Sequence, residues 1–247
     1  MRRLPCRPAD FTLTEVTHEQ YSPCTGRYMP TLATQQAIRE PAQADEVRTR
    51  ILAAAEHVFA ERGYAGATTR EIAERAGIGK RMLFYYFPTK DAVYRAVLER
   101  IIAGLVAIYE QTRGEPGPVG LGDSIEAITR FTAANLPAMK VWLREIIDDG
   151  PHLADLTRRY MRPLYEQAGA GVARNMISGA FRASDPVHAL ASVGGVTLFY
   201  FLIVPMLRLV WDRDPLDPEV VAERAGVARD VLLHGLTQAA RPKEGSS

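Results

Sequence analysis

From about Asp45 onward, apolar positions recur at spacings of three and four, and strand-like alternation is nowhere sustained. Ile51, Ala54, Ala55, Val58 and Phe59 make one apolar face, so a helix is expected there, closed at Arg62-Gly63 by a left-handed glycine cap. Thr68 with Glu71 three residues later is a capping box. It predicts a second, short helix that Ala76-Gly77-Ile78 interrupts. A third helix is expected from Gly79 to Phe87, stopped by Pro88, and Pro88-Thr89 opens a long fourth one to about Arg113. The run Gly114-Glu-Pro-Gly-Pro-Val-Gly-Leu-Gly122 reads as a breaker and as a hinge. Beyond it, helices are expected at about 123–136, 138–149, 152–181, 186–211 and 217–239. The expected fold is all-α: a head at 45–95, a helical body at 96–240 and a tail at 241–247.

Residues 1–44 lack this periodicity and carry Pro5, Pro8, Pro23, Pro30 and Pro41, which reads as a flexible arm. Met29 offers an alternative start within it. Arg2, Arg3 and Arg7 suit an arm that follows a DNA groove, but disorder without function is the plainer reading.

In the head, Ile72, Ala73, Ala76, Ile78, Leu83 and Phe87 can bury together, with Ala73 small enough to let two helices cross closely. Two short helices joined by a glycine-containing turn and packed on a third make a helix-turn-helix. The outward residues of the third helix, Lys80, Arg81, Tyr85 and Tyr86, are long and able to hydrogen-bond base edges and phosphates in a major groove. A merely solvated helix would explain the two cations but not the two tyrosines beside them.

Charge changes this picture little. The net charge is +1, and residues 45–95 hold nine Lys/Arg against seven Asp/Glu, so DNA contact must be local. Both cysteines, Cys6 and Cys24, fall in the arm, which argues for a reducing compartment and against a disulfide scaffold. With His18 they do not complete a metal site, and no metal or cofactor is expected. Arg2-Arg3 is followed by Leu-Pro-Cys-Arg-Pro rather than an apolar run, so no signal peptide is read and a cytoplasmic location is expected.

The stretch Val47-Arg-Thr-Arg-Ile-Leu-Ala-Ala-Ala, then Phe59-Ala-Glu-Arg-Gly-Tyr, Thr68-Thr-Arg-Glu-Ile-Ala-Glu-Arg-Ala-Gly-Ile-Gly-Lys and Leu83-Phe-Tyr-Tyr-Phe-Pro-Thr-Lys-Asp-Ala-Val resembles the N-terminal domain of the TetR family of regulators. The resemblance covers about fifty residues nearly without a gap. It implies a homodimer on a pseudo-palindromic double-stranded operator, usually a repressor, released when a small molecule enters the body. Position by position, Thr69 and Arg70 match residues that touch DNA from the second helix, and Lys80 and Arg81 match base-reading positions. Tyr85, Tyr86 and Lys90 match phosphate-contacting ones. Met82 stands where a threonine is frequent and Phe84 where a tyrosine is, so two hydroxyl-to-phosphate contacts are missing.

The body contains 19 uncharged residues from Ala189 to Leu207, by length alone enough to span a membrane. Gly194, Gly195 and Pro205 interrupt this run, and it comes singly and late in the chain. A dimer core shared with the last helix (Val220, Val221, Val227, Val231, Leu232, Leu236) is therefore the reading preferred, with no membrane contact. The near-repeat of the head in Val221-Ala-Glu-Arg-Ala-Gly-Val227 lacks the aromatic residues that follow it in the first copy, and reads as chance. Candidates to line an effector pocket are Tyr109, Phe131, Asn135, Met139, Trp142, His152, Tyr165, Met176 and Phe199, with Glu145 beside them. This mixture favours a hydrophobic or aromatic effector. Arg144 and Glu145 are expected to pair with each other or with neighbouring helices. An enzyme is not expected: Gly169-Ala-Gly171 lacks its third glycine and a preceding strand, and Gly79-Lys80 lacks the rest of a phosphate loop.

Overall fold

The structure, a computed structural model, describes residues 32–114 and 117–237, with side chains from residue 44 onward. The groove-following arginines, Cys6, His18 and Cys24 of the expected arm, and the tail at 241–247, lie outside the described residues. The chain divides into two compact units between Thr49 and Arg50, and the head and body below belong to the second.

Ile51, Ala55, Val58 and Phe59 are buried on one side of helix α1 (Leu32–Gly66). That helix begins well ahead of Asp45, so residues 32–44, expected in the arm, are helical. Their Gln, Ala, Arg and Glu residues favour helix without an apolar period. Gly63 kinks α1 with φ 69° and ψ 176°, an extended positive-φ backbone open essentially to glycine alone, rather than the left-handed cap expected. Helices α2 (Thr69–Arg75) and α3 (Lys80–Tyr86) follow, then α4 (Lys90–Thr112). Ile72, Ala73, Ala76, Leu83 and Phe87 are buried as expected, while Ile78 is half-buried.

Helix α4 spans about 35 Å, at 1.5 Å per residue over 23 residues, and carries the head's core into the body. Its Val93, Val97, Leu98, Ile101 and Ile102 are buried. The body adds α5 (Gly117–Ala134), α6 (Leu136–Ile147), the short α7 (Leu153–Leu156) with a π-helical turn (Thr157–Met161), and α8 (Arg162–Ile177). It closes with α9 (Pro186–Leu202), α10 (Val204–Val210) and α11 (Pro218–Leu236). Among the described residues there is no strand, only one isolated antiparallel bridge between Phe181 and Thr237.

Three expectations change. From Gly117 onward the expected Gly114–Gly122 hinge is instead the first turns of α5: Pro118 sits where a helix needs no N–H donor, and Gly120 and Gly122 are buried. At Gly122 a Cβ would stand 3.2 Å from Arg229 Cδ, so glycine there serves close packing of α5 on α11. The helix expected at 186–211 breaks at Ile203, and α9 and α10 meet at 58°. Pro205 explains this, since its ring would collide with the carbonyl four residues back. No single helix among the described residues is long and apolar enough to cross a membrane. The helix expected at 152–181 is divided by the π-helical turn. The repeated Val221–Val227 segment, by contrast, stays inside the unbroken α11.

Candidate nucleic-acid interface and effector cavity

The turn between α2 and α3 is set by backbone hydrogen bonds. Gly77 N donates to Glu74 O (3.1 Å) and Ile78 N to Ala73 O (3.0 Å), the pair of bonds that ends a helix on a left-handed residue. Gly77 has φ 65° and open space around its missing Cβ, so conformation rather than room requires glycine. At the other end of α2, Thr68 Oγ1 accepts from Glu71 N (3.2 Å) and Glu71 Oε2 accepts from Thr68 N (3.0 Å). The Thr68 hydroxyl also donates to Glu71 Oε2 (2.9 Å), and this bond first, with that from Thr68 N second, holds the Glu71 carboxyl below its usual range. A short helix fixed at both ends presents the next one at a defined angle.

Helix α3 buries Leu83 alone and turns the rest outward. Lys80 and Arg81 are exposed, and neither has an acidic partner among the described residues. Tyr85 is 80% exposed and meets the half-buried Tyr86 edge to face, with ring centroids 5.3 Å apart. A phenol that stays this exposed gains nothing from the core and is available to a ligand. Met82 and Phe84 are exposed on the same helix, and Lys80 Nζ lies 5.6 Å from the centre of the Phe84 ring. Thr69 is half-buried at the start of α2, and Arg70 makes an exposed 2.7 Å pair with Glu74, weak enough to exchange for a phosphate. Lys90 is placed differently from the other cations. Its ammonium donates to Tyr64 O (2.8 Å) and Ala67 O (3.1 Å) and lies 4.4 Å from the centre of the Tyr64 ring. It clamps the end of α1 to the start of α4, leaving one N–H for anything outside.

The head is tied to the body through α4 and α1. His152 Nε2 meets Asp91 Oδ1 at 2.8 Å, Arg95 pairs with Asp155 at 2.6 Å, and Arg144 donates to Phe59 O at 3.0 Å. Glu145 is buried between Tyr94 and the His152 backbone. Arg144 and Glu145 thus both bind neighbouring elements.

Behind this junction lies an open-sided cavity of about 610 Å³ lined by α4, α5, α8 and α9. Its wall is mainly apolar, including Ile108, Leu121, Ile128, Leu164 and Val172, which is the composition of a small-molecule site.

Residues 51–97 match the family model "Bacterial regulatory proteins, tetR family". The chain is similar to the HTH-type transcriptional regulator RutR of Escherichia coli (strain K12), 29% identical over 161 residues that cover 65% of this chain and 76% of that one. It is also similar to the HTH-type transcriptional activator FasR of Mycolicibacterium smegmatis, 46% identical over 63 residues, 26% of this chain and 29% of that one. Among solved structures, the TetR-family regulator PfmR of Thermus thermophilus superposes with a TM-score of 0.60 at 25% identity, covering 77% of this chain and 97% of that one. Residues 51–97 thus carry the N-terminal domain of the TetR family. The chain is a DNA-binding transcriptional regulator with a helix-turn-helix head and a helical body.

Within the body, the cavity takes in only two of the expected pocket residues, Tyr109 and Tyr165. The other seven are employed elsewhere. Met139 and Trp142 are buried core of α6. Phe131 fills the space beside Gly104, and Asn135 donates back to the Phe131 carbonyl at 2.9 Å. His152 is held by Asp91, and Met176 packs on the cluster of Val172, Phe181 and Ala189. Phe199 is 58% exposed on the outer face of α9. Large side chains are a poor guide to such a site. A cavity is opened by small ones, here Ala168, Gly171, Gly120 and Gly194 on the facing helices. The stripe Met161, Leu164, Tyr165, Ala168 and Val172 along α8 is the signal by which the sequence could have shown it.

Proposed function

We propose that this regulator is a homodimeric repressor that holds a pseudo-palindromic operator with two α3 helices and leaves it when a small molecule fills the body cavity. The exposed set on α3 carries the reading. Arg81 and Lys80 lie where a helix in the major groove meets base edges, and Tyr85, Tyr86, Arg70 and Thr69 lie where they reach the phosphates. Lys90 contributes its remaining N–H and, above all, the placement of α4.

An outer apolar face supports the dimer. Phe199 and Leu202 of α9 and Val227 and Val231 of α11 are between 43% and 58% exposed, more apolar surface than a solvated helix pair leaves open. Release follows from linkage: a ligand that binds better when the heads are set apart from the operator's spacing must weaken DNA binding by the same factor. The work is done in the compartment that holds the DNA, the cytoplasm, with no membrane attachment.

Selecting and sequencing the DNA bound by the purified protein supplies the test. Two half-sites about one helical turn apart, bound by a dimer in sedimentation and lost in Arg81→Ala, are expected. Binding without sequence preference would sink the reading, and a reporter that falls when the gene is deleted would make the regulator an activator.

A further inference from the structure

Along α8 the cavity-lining positions Met161, Leu164, Tyr165, Ala168, Val172 and Asn175 form one helical stripe, about 20 Å long at 1.5 Å per residue. The stripe is apolar until its C-terminal end. There Asn175 is joined by Arg174, and Arg113 comes in from the end of α4. Gly117 ties these helix ends together, since a Cβ on it would stand 3.7 Å from Asn175 Oδ1. Both guanidinium groups of the lining therefore share one end of the cavity.

Among the described residues, no Asp or Glu lines the cavity. Glu110 pairs with Arg113 from outside the lining, whereas Arg174 is exposed with no ion-pair partner among the described residues. Glu110 offsets Arg113, and the carbonyl ends of α4 and α8 carry only about half a charge each, so Arg174 is the cation most open to a ligand. The neutral donors of the wall are already used. Thr112 Oγ1 donates to Ile108 O (2.9 Å), Thr197 Oγ1 to Val193 O (2.6 Å), Ser124 Oγ to Gly120 O (2.8 Å) and Asn175 Nδ2 to Gly171 O (3.0 Å). Apart from the phenols of Tyr109 and Tyr165 and the second amide N–H of Asn175, a ligand meets its donors at the arginines.

We propose that the cavity takes an elongated apolar anion, its hydrocarbon body along the α8 stripe and a single carboxylate between Arg174 and Arg113. This rests on reading the cavity as the effector site. A guanidinium suits a carboxylate because it offers two parallel N–H donors. A neutral ligand of the same shape leaves those donors to water, and among the described residues no acidic side chain lines the wall to favour a cation.

The test uses the full-length protein and the neutral fluorescent probe N-phenyl-1-naphthylamine, displaced by dodecanoate, by dodecanol and by the rigid polycyclic acid deoxycholate. At least one acid is expected to displace the probe at a concentration about tenfold below dodecanol. Arg174→Gln, a surface change that spares the fold, is expected to raise the acid's concentration about tenfold and leave dodecanol's unchanged. Arg113→Gln should do the same more weakly, its guanidinium being shared with Glu110. Whether dodecanoate or deoxycholate is preferred separates a flexible acyl chain from a fused-ring acid. Equal displacement by acid and alcohol, or indifference of the acids to both arginine variants, would overturn the anionic ligand. Probe binding that is then abolished by Ala168→Trp or Leu164→Trp leaves the cavity itself standing. A probe that does not bind, or that ignores both tryptophan variants, removes the cavity reading and this proposal with it.

Discussion

The Tyr94 hydroxyl donates to Glu145 Oε2 at 2.9 Å in a fully buried contact that fastens α4 to α6. The other carboxylate oxygen accepts from His152 N at 2.7 Å, so Glu145 is buried with both oxygens satisfied. Burial first, and the bond to Glu145 second, push the Tyr94 phenol well above its ordinary range.

Tyr94→Phe removes the donor and leaves a buried carboxylate oxygen bare, at an expected cost of about 1–3 kcal/mol in urea denaturation. The sign of its pH dependence follows from the raised phenol. Its stabilising contribution is fully present below the unfolded value of about 10 and is lost only as pH rises through the folded one. The difference between wild type and Tyr94→Phe should therefore stay constant through neutral pH and shrink only in strong alkali. A difference that disappears at pH 7 would contradict the contact.

Gly150 sits where a Cβ would fall on the Glu145 carboxyl group. Gly150→Ala is expected to cost about 1–3 kcal/mol, because the carboxylate cannot yield without giving up Tyr94. In a Glu145→Ala background the same substitution should cost much less. A double-mutant cycle of thermal denaturation reads the coupling directly, and additive losses would show the two residues to be independent.

Lys90 and Arg81 separate two kinds of cation. Lys90→Ala strips the Tyr64 and Ala67 carbonyls of their donor, so the melting temperature should fall along with DNA affinity, evenly on all sequences. Arg81→Ala should leave the melting temperature unchanged and alter operator preference instead. Binding assays on a panel of operator variants, paired with calorimetry, check both, and a destabilised Arg81 variant would refute the division.

Glu56 is a buried carboxylate that Arg100 approaches to 2.7 Å without directed hydrogen-bond geometry to Oε1. Desolvation outweighs this attraction and holds its pKa above the ordinary carboxylate value. The folded state therefore binds the proton more tightly than the unfolded one. This group's contribution falls as pH rises from about 4.5 through the raised folded value. The stability of wild type relative to Glu56→Gln should decline across that window and level off above it, as followed by urea titrations at successive pH values. A relative stability that rises with pH there would mean that Arg100 dominates.

The head can be read from the sequence because its determinants are local. Thr68 and Glu71 are three residues apart, Gly77 lies between two apolar-periodic segments, and Pro88 stops α3. Such signals need no knowledge of what packs where. The body is legible only as helices. That Gly120 and Gly122 let α5 approach α11, rather than marking a hinge, depends on Arg229, more than a hundred residues away in the chain. Pro205 is visible and marks the break, but the 58° angle between α9 and α10 is not written in it. The cavity is hardest of all, since empty volume is produced by Ala168, Gly171 and Gly194 together, each unremarkable alone. Lys90 shows the opposite failure. The motif position suggests an outward role, while the carbonyls that hold its ammonium, those of Tyr64 and Ala67, lie more than twenty residues back in the chain.

The left-handed turn at Gly77 also constrains how a signal can leave the body. With α2 sealed by its capping box and α3 locked behind that turn, each head behaves as a solid stamp whose face does not reshape. An occupied cavity has no means of altering what α3 reads. It can alter only where the stamp stands, through α4. In a dimer the regulated quantity is then the distance between two unchanging faces, set against the fixed repeat of the double helix.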